Sequence, residues 1–388
     1  MFQQSNEALK KMGAFITTRE IQQQPELWEE TIQLFEKEQE KINHFFHSLQ
    51  ETAKTPLRVI FTGAGTSQYI GDTLVPYLNR FGDTKNYTFE SIGTTDIVSA
   101  PLDYLKTDSP TLLVSFARSG NSPESLAAVK LADQLIHTVN HLTITCAKEG
   151  LLAKNSLENA NHLLLLMPEK SNDAGFAMTG SFTCMLLSAL LAFDQSTIET
   201  KRIYVQSASL LGKELLSREK EIQTLMGSDV DRIVYLGSGS MAGLAREAQL
   251  KVLELTAGKV ATAFDSSMGF RHGPKSFINE HTLVFGFLNN DSYTRQYDLD
   301  ILEEVRENQI AKNTVAIGQL GEQNFSGNQF TFQTQTPLLP EAYLVLPEIM
   351  VAQTIALLAS ISVGNTPDTP SATGTVNRVV KGVTIHPY

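Results

Sequence analysis

The spacing of apolar residues changes near Pro56. Between Leu27 and Leu49, apolar residues recur every three or four positions among Glu, Gln and Lys, which indicates amphipathic helices. From Arg58 onward, short apolar runs alternate with helix-like stretches. Strands and helices that alternate in this way predict an α/β fold, with parallel sheets covered by helices on both faces.

The predicted strands are short and separated by helical segments. They fall at 58–62, 111–115, 141–145, 163–166, 231–236, 282–288, 314–317 and 330–332. The first and the fifth run directly into similar glycine-rich turns, Gly63-Ala-Gly65 and Gly237-Ser-Gly239. We interpret this match as an internal pseudo-repeat of two α/β halves, joined by the helical stretch around 203–226.

The length of the chain also predicts more than one domain. A single hydrophobic core rarely grows beyond about 250–300 residues, and this chain has 388. We expect a helical arm over 1–50, a first α/β domain over 51–205, and a second over 206–388 that includes an extended C-terminal tail. The longest apolar runs, 184–193 and 350–364, fall short of the about 20 residues that span a membrane, so we expect them to be buried helices.

Charge and cysteine content narrow the class of protein. The net charge of −11 disfavours binding to nucleic acid or to an anionic membrane, although a local pocket can still hold a small anion. The two cysteines, Cys146 and Cys184, form neither a Cys-x-x-Cys pair nor a zinc pattern, so no metal site is expected. The low cysteine content and an N-terminus without a signal-peptide pattern predict a cytoplasmic protein.

The segment that follows the second predicted strand has the features of a phosphate-binding loop. Ser122 is a good N-cap and Pro123 suits the first helical position, so a helix should begin there. Its free N–H groups would attract an anion, with donors from Ser119, close approach at Gly120 and a positive charge from Arg118. An ordinary capped helix is the alternative interpretation.

The two glycine-rich turns do not fit a dinucleotide-binding fingerprint. Gln68 stands where the first turn would need its third glycine or alanine. The second turn lacks an acidic residue after a following strand. We therefore expect no nicotinamide cofactor.

Candidate acid–base groups lie in the second half. Glu247, Lys251 and Glu254 share one helix face, either as a salt-bridged surface stripe or as a carboxylate base beside a lysine. The following loop, Phe264–Pro274, places His272 on a turn, where it can face a pocket. Lys381 in the tail is either a solvated anchor or an amine delivered into a site.

Six motifs in order resemble those of the sugar isomerase (SIS) superfamily, in the double-domain arrangement of the isomerase half of glucosamine-6-phosphate synthase. They are Gly-x-Gly-Thr-Ser at 63–67, Ser-Gly-x-Ser at 119–122, Gly-Phe-Ala-Met-Thr at 175–179, Glu-x-x-x-Lys-x-x-Glu at 247–254, His-Gly-Pro at 272–274 and Lys-x-Val-Thr at 381–384. The length of the chain looks like that of the galactosamine-6-phosphate deaminase/isomerase branch, also called tagatose-6-phosphate ketose/aldose isomerase. The resemblance implies two SIS-like three-layer αβα domains.

The resemblance also implies roles for particular residues. Substrate and phosphate contacts are expected at Ser67, Arg118, Ser119, Ser122, Thr179 and Glu247. Catalytic roles are expected for Glu254 as general base, Lys251 beside it, His272 in ring opening and Lys381 at the sugar carbonyl carbon. In the family, the histidine reaches the site of a neighbouring subunit, which implies a homodimer or a larger assembly with shared active sites.

Four features depart from the family pattern. Ala117 and Arg118 replace a serine and a glutamine at the start of the phosphate loop, and Met178 replaces a serine. The loop before His272 is two residues longer. These departures leave phosphate binding in place but change the expected sugar contacts.

The resemblance implies a hexose 6-phosphate substrate and no cofactor. The expected reaction converts galactosamine 6-phosphate to tagatose 6-phosphate and ammonia by proton transfer from C2 to C1. One alternative is aldose–ketose isomerisation without deamination. Another is a non-catalytic sugar-phosphate sensor, although the acidic N-terminal helices disfavour the DNA-binding role that such sensors have.

Overall fold

A computed structural model of the chain describes residues 1–52, 56–157, 159, 161–374, 376–378 and 382–388. In this part of the chain the strands form two five-stranded parallel sheets, and helices pack against both of them. The α/β class predicted from the sequence is confirmed.

The strands of the first sheet are β1 (Leu57–Thr62), β2 (Tyr87–Ser91), β3 (Thr111–Ala117), β4 (Val139–Thr145) and β5 (His162–Leu166). Those of the second are β6 (Arg232–Gly237), β7 (Ala261–Ser266), β8 (Thr282–Phe287), β9 (Asn313–Gln319) and β10 (Asn328–Phe332). The helices are α1 (Asn6–Lys11), α2 (Phe15–Gln22), α3 (Gln24–Lys37), α4 (Gln39–Thr52), α5 (Thr66–Phe81), α6 (Thr94–Ser99), α7 (Pro101–Tyr104), α8 (Pro123–Leu135), α9 (Leu151–Ser156), α10 (Gly180–Phe193), α11 (Ile198–Ser217), α12 (Glu219–Met226), α13 (Ser240–Leu255), α14 (Ser292–Asn308) and α15 (Glu341–Ser362).

The two sheets have the same topology. The first sheet has the order β2-β1-β3-β4-β5, and the second has the order β7-β6-β8-β9-β10. Counted from the first strand of each half, both orders are 2-1-3-4-5. The pseudo-repeat inferred from two short glycine motifs is therefore a repeat of the whole sheet.

The glycine-rich turns of the two halves also have the same backbone geometry. Gly65 has φ 56° and ψ −127°, and Gly239 has φ 61° and ψ −130°, a region that favours glycine. A Cβ on Gly63 would lie 2.5 Å from the Cβ of Ser67, and one on Gly237 would lie 2.6 Å from the Cβ of Met241. Each turn thus needs both of its glycines, one for torsion and one for close packing.

Contacts divide the chain into two compact units made of interleaved segments. The first-sheet unit comprises Leu27–Asp173, Gly180–Lys201 and Val376–Tyr388. The second-sheet unit comprises Met1–Glu26, Ala174–Thr179 and Arg202–Thr375. The boundaries near residues 50 and 205 stay a prediction, since these units are not continuous stretches of chain.

The helix α15 is the most apolar helix of the second-sheet unit. Among the described residues it alone is long and apolar enough to cross a membrane, but 94% of its apolar stretch is buried inside the protein. It packs on α13 and β9, next to the second sheet. This is the behaviour of a core helix, as expected from the apolar run at its end.

The sequence missed two strands, β2 and β7, each of which is an edge strand of its sheet. In β2 only Tyr87 and Phe89 are buried, and every residue of β7 is at least partly exposed. Neither strand therefore presents the continuous apolar run that marked the inner strands. As a correction, Phe264–Pro274 is not wholly a loop, because Phe264–Ser266 complete β7 and two short 3₁₀ turns follow.

Candidate active site

The predicted phosphate-binding residues of the first-sheet unit follow the carboxyl ends of two strands of the sheet. Ser67 lies in the first turn of α5, just after β1, and Ser119 and Ser122 follow β3. The strands β1 and β3 are neighbours and pair in register up to Thr62 and Ser115. The chain crosses from one side of β1 to the other at this point, and such switch points are where open α/β sheets bind ligands.

The loop after β3, Arg118–Ser122, is shaped to admit an anion. Ser122 is the N-cap of α8 with φ −63° and ψ 130°, and its side chain makes no capping hydrogen bond within the described structure. Pro123 occupies the first helical position, as predicted. Gly120 has φ 66°, which turns the backbone before the helix. The N-terminus of a 13-residue helix thus faces the carboxyl ends of the strands, flanked by serine hydroxyls.

A second loop, Cys146–Gly150, supports the phosphate loop from the side. The Oδ1 atom of Asn121 accepts a hydrogen bond from the N–H of Leu151 at 3.0 Å, and the N–H of Leu152 donates to the carbonyl of Gly120 at 3.1 Å. Gly150 packs so closely that a Cβ there would lie 2.5 Å from the carbonyl oxygen of Ser119. Sequence analysis assigned no role to Asn121 or Gly150.

Arg118 lies at the start of the phosphate loop and is buried. Its Nη2 atom donates a hydrogen bond to the main-chain carbonyl of Arg378 in the C-terminal tail, at 2.6 Å. The side chain of Arg378 in turn donates to the carbonyl of Asp173 and to Oδ1 of Asn172. Lys381, which follows in the tail, lies outside the described residues.

At the carboxyl ends of the corresponding strands of the second sheet, carboxylates of the protein itself lie where an anion would bind. Asp298 accepts hydrogen bonds from the hydroxyls of Ser238 and Ser267, at 2.6 and 2.5 Å, and from the N–H of Asn289 at 3.0 Å. Burial raises the pKa of Asp298, against these hydrogen bonds and the charge of Arg295. A Cβ on Gly239, the N-cap of α13, would lie 2.6 Å from a carboxylate oxygen of Glu341.

The triad Glu247, Lys251 and Glu254 lies on α13, as the helical spacing predicted. The Nζ atom of Lys251 is 2.6 Å from Oε2 of Glu254 and 3.3 Å from Oε1 of Glu247. Burial alone would lower the pKa of Lys251, but the charges and hydrogen bonds of both glutamates together raise it. The lysine is therefore a buried ammonium, and the surface-stripe interpretation is wrong for Glu247 and Lys251.

Glu254 differs from the rest of the triad in its exposure. Its side chain is 24% exposed, whereas those of Glu247 and Lys251 are buried completely or nearly so. A carboxylate that reaches solvent while a buried ammonium fixes one of its oxygens is accessible to a molecule from solution, which a general base must be. Glu247 and Lys251 form the support behind it.

His272 lies on an exposed turn, directly after the 3₁₀ segment Gly269–Arg271. The backbone at Gly273 has φ 120°, and both residues beside this turn are tied to α14. The Nε atom of Arg271 lies 2.6 Å from Oε2 of Glu304, and Lys275 pairs with the other oxygen. Hydrogen bonds from Lys275 and Arg271 lower the pKa of Glu304. The imidazole is thus presented to solvent on a turn that is held in place.

The segment that contains Thr179 is anchored to the N-terminal arm. Thr179 is buried, and a few residues before it the N–H groups of Ala174 and Gly175 donate to the carboxylate of Glu20 on α2. The sequence predicted a helical arm and no catalytic or binding residue within it. Glu20 shows that the arm also holds the backbone of one of the six motifs.

The candidate residues fall into two groups. Ser67, Arg118, Ser119 and Ser122 belong to the first-sheet unit, and Thr179, Glu247, Lys251, Glu254 and His272 to the second-sheet unit. The described residues include no group of three or more His, Cys, Asp or Glu side chains that could hold a metal ion. The first group can bind an anion, and the second offers a carboxylate base and an exposed imidazole.

Comparisons with known proteins identify the family of the chain. The SIS domain model matches residues 53–193. D-galactosamine-6-phosphate deaminase AgaS from Escherichia coli is 42% identical over 381 residues, which cover 96% of each chain. A solved structure of tagatose-6-phosphate ketose/aldose isomerase from Escherichia coli has a TM-score of 0.86 and 41% identity over 96% of each chain. A structure from Clostridium novyi NT, described as a candidate tagatose-6-phosphate ketose/aldose isomerase, has a TM-score of 0.93 and 44% identity over 100% of this chain and 99% of its own.

Identity of this level over nearly the full length of both chains extends the relationship beyond a shared fold. The chain therefore belongs to the SIS-domain family, in the group of the galactosamine-6-phosphate deaminases.

Proposed function

We propose that the chain is an amino-sugar-phosphate deaminase/isomerase that converts galactosamine 6-phosphate and water to tagatose 6-phosphate and ammonia. The observation that carries this proposal is the carboxylate of Glu254, partly exposed and fixed by the buried ammonium of Lys251 at 2.6 Å. The chain is also 42% identical to a relative that is named for this deaminase activity.

The phosphate of the substrate is bound by the loops that follow β1 and β3. The hydroxyls of Ser67, Ser119 and Ser122 supply donors, and the first N–H groups of α8 supply the partial positive charge of a helix N-terminus. This cradle accounts for anion binding by a protein with a net charge of −11.

Proton transfer follows ring opening to the free aldehyde. Glu254 removes the proton from C2, which gives an enolamine, and the same carboxylate returns a proton to C1. C1 thereby becomes a hydroxymethyl carbon, and C2 becomes an imine that water hydrolyses to the ketone and ammonia. A well-positioned general base contributes about 10²–10⁴-fold to such a step. Lys251 keeps the carboxylate oriented.

His272 assists ring opening, and it does so in the site of a neighbouring subunit. Its exposed position on a turn held by Glu304 supports this role, because the imidazole is accessible to a second chain. The active form is then at least a dimer.

A reducing, cytoplasmic location is supported by Cys146 and Cys184, which are both buried free thiols.

The second candidate function is aldose–ketose isomerisation without loss of nitrogen. It is favoured by the name tagatose-6-phosphate ketose/aldose isomerase, which the similar Escherichia coli structure carries. The same base would act on a substrate with a hydroxyl at C2 in place of the amine.

One assay distinguishes the candidates. The purified chain is incubated with galactosamine 6-phosphate, glucosamine 6-phosphate, galactose 6-phosphate and unphosphorylated galactosamine, and ammonia and ketose are both measured. We expect equimolar ammonia and ketose from galactosamine 6-phosphate and very slow turnover without the phosphate. Ketose from galactose 6-phosphate with no ammonia from the amino sugars would establish the isomerase. Binding of a phosphosugar with no product would establish a sensor.

A further inference from the structure

We propose that Arg118 is a positioning residue, which ties the C-terminal tail to the phosphate loop, and that it is not a ligand of the phosphate. Arg118 directly precedes Ser119, and its side chain reaches a tail residue far away in the sequence. This inference rests on the proposed function, because it gives the tail a part in the reaction of a phosphosugar.

The first step of the argument is the direction of the Arg118 side chain. Only 8% of the residue is exposed, and Nη2 donates to the carbonyl oxygen of Arg378 at 2.6 Å. A hydrogen bond from a guanidinium is roughly twice as strong as one between neutral groups, so this contact holds the tail backbone firmly. Because the acceptor is a main-chain carbonyl, the contact fixes the path of the tail.

The tail has a second anchor at the same place. The Nε atom of Arg378 donates to the carbonyl of Asp173 at 2.8 Å, and Nη2 donates to Oδ1 of Asn172 at 3.0 Å. Asp173 is itself completely buried and accepts hydrogen bonds from the N–H groups of Gly180 and Ser181 at the start of α10. The tail is thus fastened to a buried, hydrogen-bonded part of the first-sheet unit.

The far end of the tail also lies against this unit. Residues 384–388 line a cavity of about 600 Å³, and the rest of its lining comes from α6, α7 and α8. The helix α8 begins at the phosphate loop, so the tail contacts the loop at Arg118 and shares a cavity with the helix that follows the loop. Between these anchors the sequence places Lys381, which the family resemblance assigns to the sugar carbonyl.

A ligand that orders the phosphate loop should therefore order the tail as well. Removing the Arg118 side chain breaks the first link and leaves the hydroxyls and helix N-terminus that bind phosphate. The tail should then be less ordered and the chemical step slower, whereas the affinity for phosphate should stay the same.

The experiment uses the full chain with R118M, the conservative R118K and R378M, which removes the second anchor without touching the phosphate loop. Hydrogen exchange of the tail peptide is measured with and without inorganic phosphate, whose Kd is measured by calorimetry. For R118M we expect tail exchange about 10–100-fold faster, as for loss of a charged hydrogen bond, and a Kd for phosphate within about twofold of wild type. R118K should recover part of the protection, and R378M should reproduce the effect of R118M on the tail.

Kinetics with galactosamine 6-phosphate complete the test. Positioning predicts that kcat falls by at least about tenfold in R118M and R378M with little change in KM, and that the double variant loses less than the product of the two. A Kd for phosphate weakened about tenfold or more in R118M, with unchanged tail exchange, would overturn the proposal and make Arg118 a phosphate ligand. Exchange and phosphate binding are read without turnover, so a chain that binds phosphate but does not process this sugar would refute the proposed function alone.

Discussion

At the scale of single residues, the most informative feature is the difference in exposure among the three charged side chains of the α13 triad. Glu247 and Lys251 are buried, and Glu254 is the member that solvent reaches. The two carboxylates stabilise the ammonium of Lys251 by charge and hydrogen bonds. They raise its pKa, so burial does not neutralise the group. In the proposed mechanism the carboxylate of Glu254 acts on the substrate, and that of Glu247 pairs with the lysine.

This arrangement predicts the effect of Glu254→Gln. The amide keeps the size of the side chain and its oxygen can still accept from Lys251, but it cannot take up a proton. We expect kcat for galactosamine 6-phosphate to fall by about 10²–10⁴-fold, with the fold and phosphate affinity unchanged. Glu322→Gln, at an exposed carboxylate of the same unit, is the matched control. Near-normal turnover in folded Glu254→Gln would assign the base to another group.

A second residue-scale prediction concerns Glu348 on α15. It is completely buried, and within the described part of the chain neither carboxylate oxygen has a hydrogen-bond partner. Burial raises the pKa of Glu348 well above its usual 4.5, and the charge of Asp298 raises it further, against a smaller opposite effect of Arg295. The folded protein therefore keeps a proton that the unfolded chain releases above about pH 4.5.

The sign of the pH dependence follows from this difference. Below pH 4.5 both states are protonated, and the residue has no effect on the pH dependence. As pH rises toward the folded-state pKa, Glu348 lowers the free energy of unfolding by up to about 1.4 kcal/mol per pH unit. Glu348→Gln removes this loss, so its stability relative to wild type should grow between pH 5 and pH 8 in urea unfolding. A difference that stays constant with pH would show that Glu348 binds the same number of protons in the folded and unfolded chains, so that burial does not raise its pKa.

At the scale of elements, the phosphate loop depends on the loop beside it. Gly150 has ordinary torsions, φ −66° and ψ 150°, which alanine adopts easily. An added methyl would nevertheless lie 2.5 Å from the carbonyl oxygen of Ser119 and 3.1 Å from Cα of Gly120. Both neighbours are backbone atoms, so the phosphate loop itself has to move.

We therefore expect Gly150→Ala to weaken binding of inorganic phosphate while the chain still folds. A shift of a few tenths of an ångström in several donors corresponds to about 1–2 kcal/mol, or about 10-fold in Kd, by calorimetry. Ser48→Ala, at an exposed helix position in α4, controls for the effect of a small substitution in this unit. Unchanged phosphate affinity in Gly150→Ala would place the anion site away from Ser119.

The sequence predicts an element well when one kind of signal dominates it. The strands β1 and β3 are buried at every position and appear as continuous apolar runs, so they were predicted nearly to their ends. The start of α8 was predicted because Ser122 and Pro123 are both local signals for a helix N-terminus. The strands β2 and β7 are edge strands, are partly exposed, and were missed.

The missed parts of the candidate site depend on contacts between distant segments. Asn121 meets Leu151, Arg118 meets Arg378, and Glu20 meets Ala174 and Gly175. Nothing in the local sequence around any of these residues specifies its partner. The six motifs contain the residues that the sequence predicts to contact a ligand, whereas the residues that hold those motifs in place needed the structure.

At the scale of the whole molecule, the proposed sharing of His272 between subunits can be tested by complementation. Chains with Glu254→Gln and chains with His272→Ala should each be inactive as homodimers. If His272 acts in its neighbour's site, a mixed dimer has one site with both defects and one with neither, so activity should return to about half of normal per mixed dimer. Subunit exchange is verified by native mass spectrometry. Verified exchange with no recovery would place both residues of one chain in the same site.

The carboxylates of Asp298 and Glu341 give the internal repeat an unequal outcome. The two copies offer equivalent positions for an anion, and in the second copy carboxylates of the protein itself lie at that position. These carboxylates are part of the chain and cannot dissociate. The second half therefore needs no anion from solution, whatever the concentration of metabolite. If the proposed function is right, the first half binds its anion from solution, and its stability should rise with the concentration of that anion. Each chain should therefore bind a single phosphate. Phosphate should stabilise the first half, whereas the stability of the second half should not depend on it.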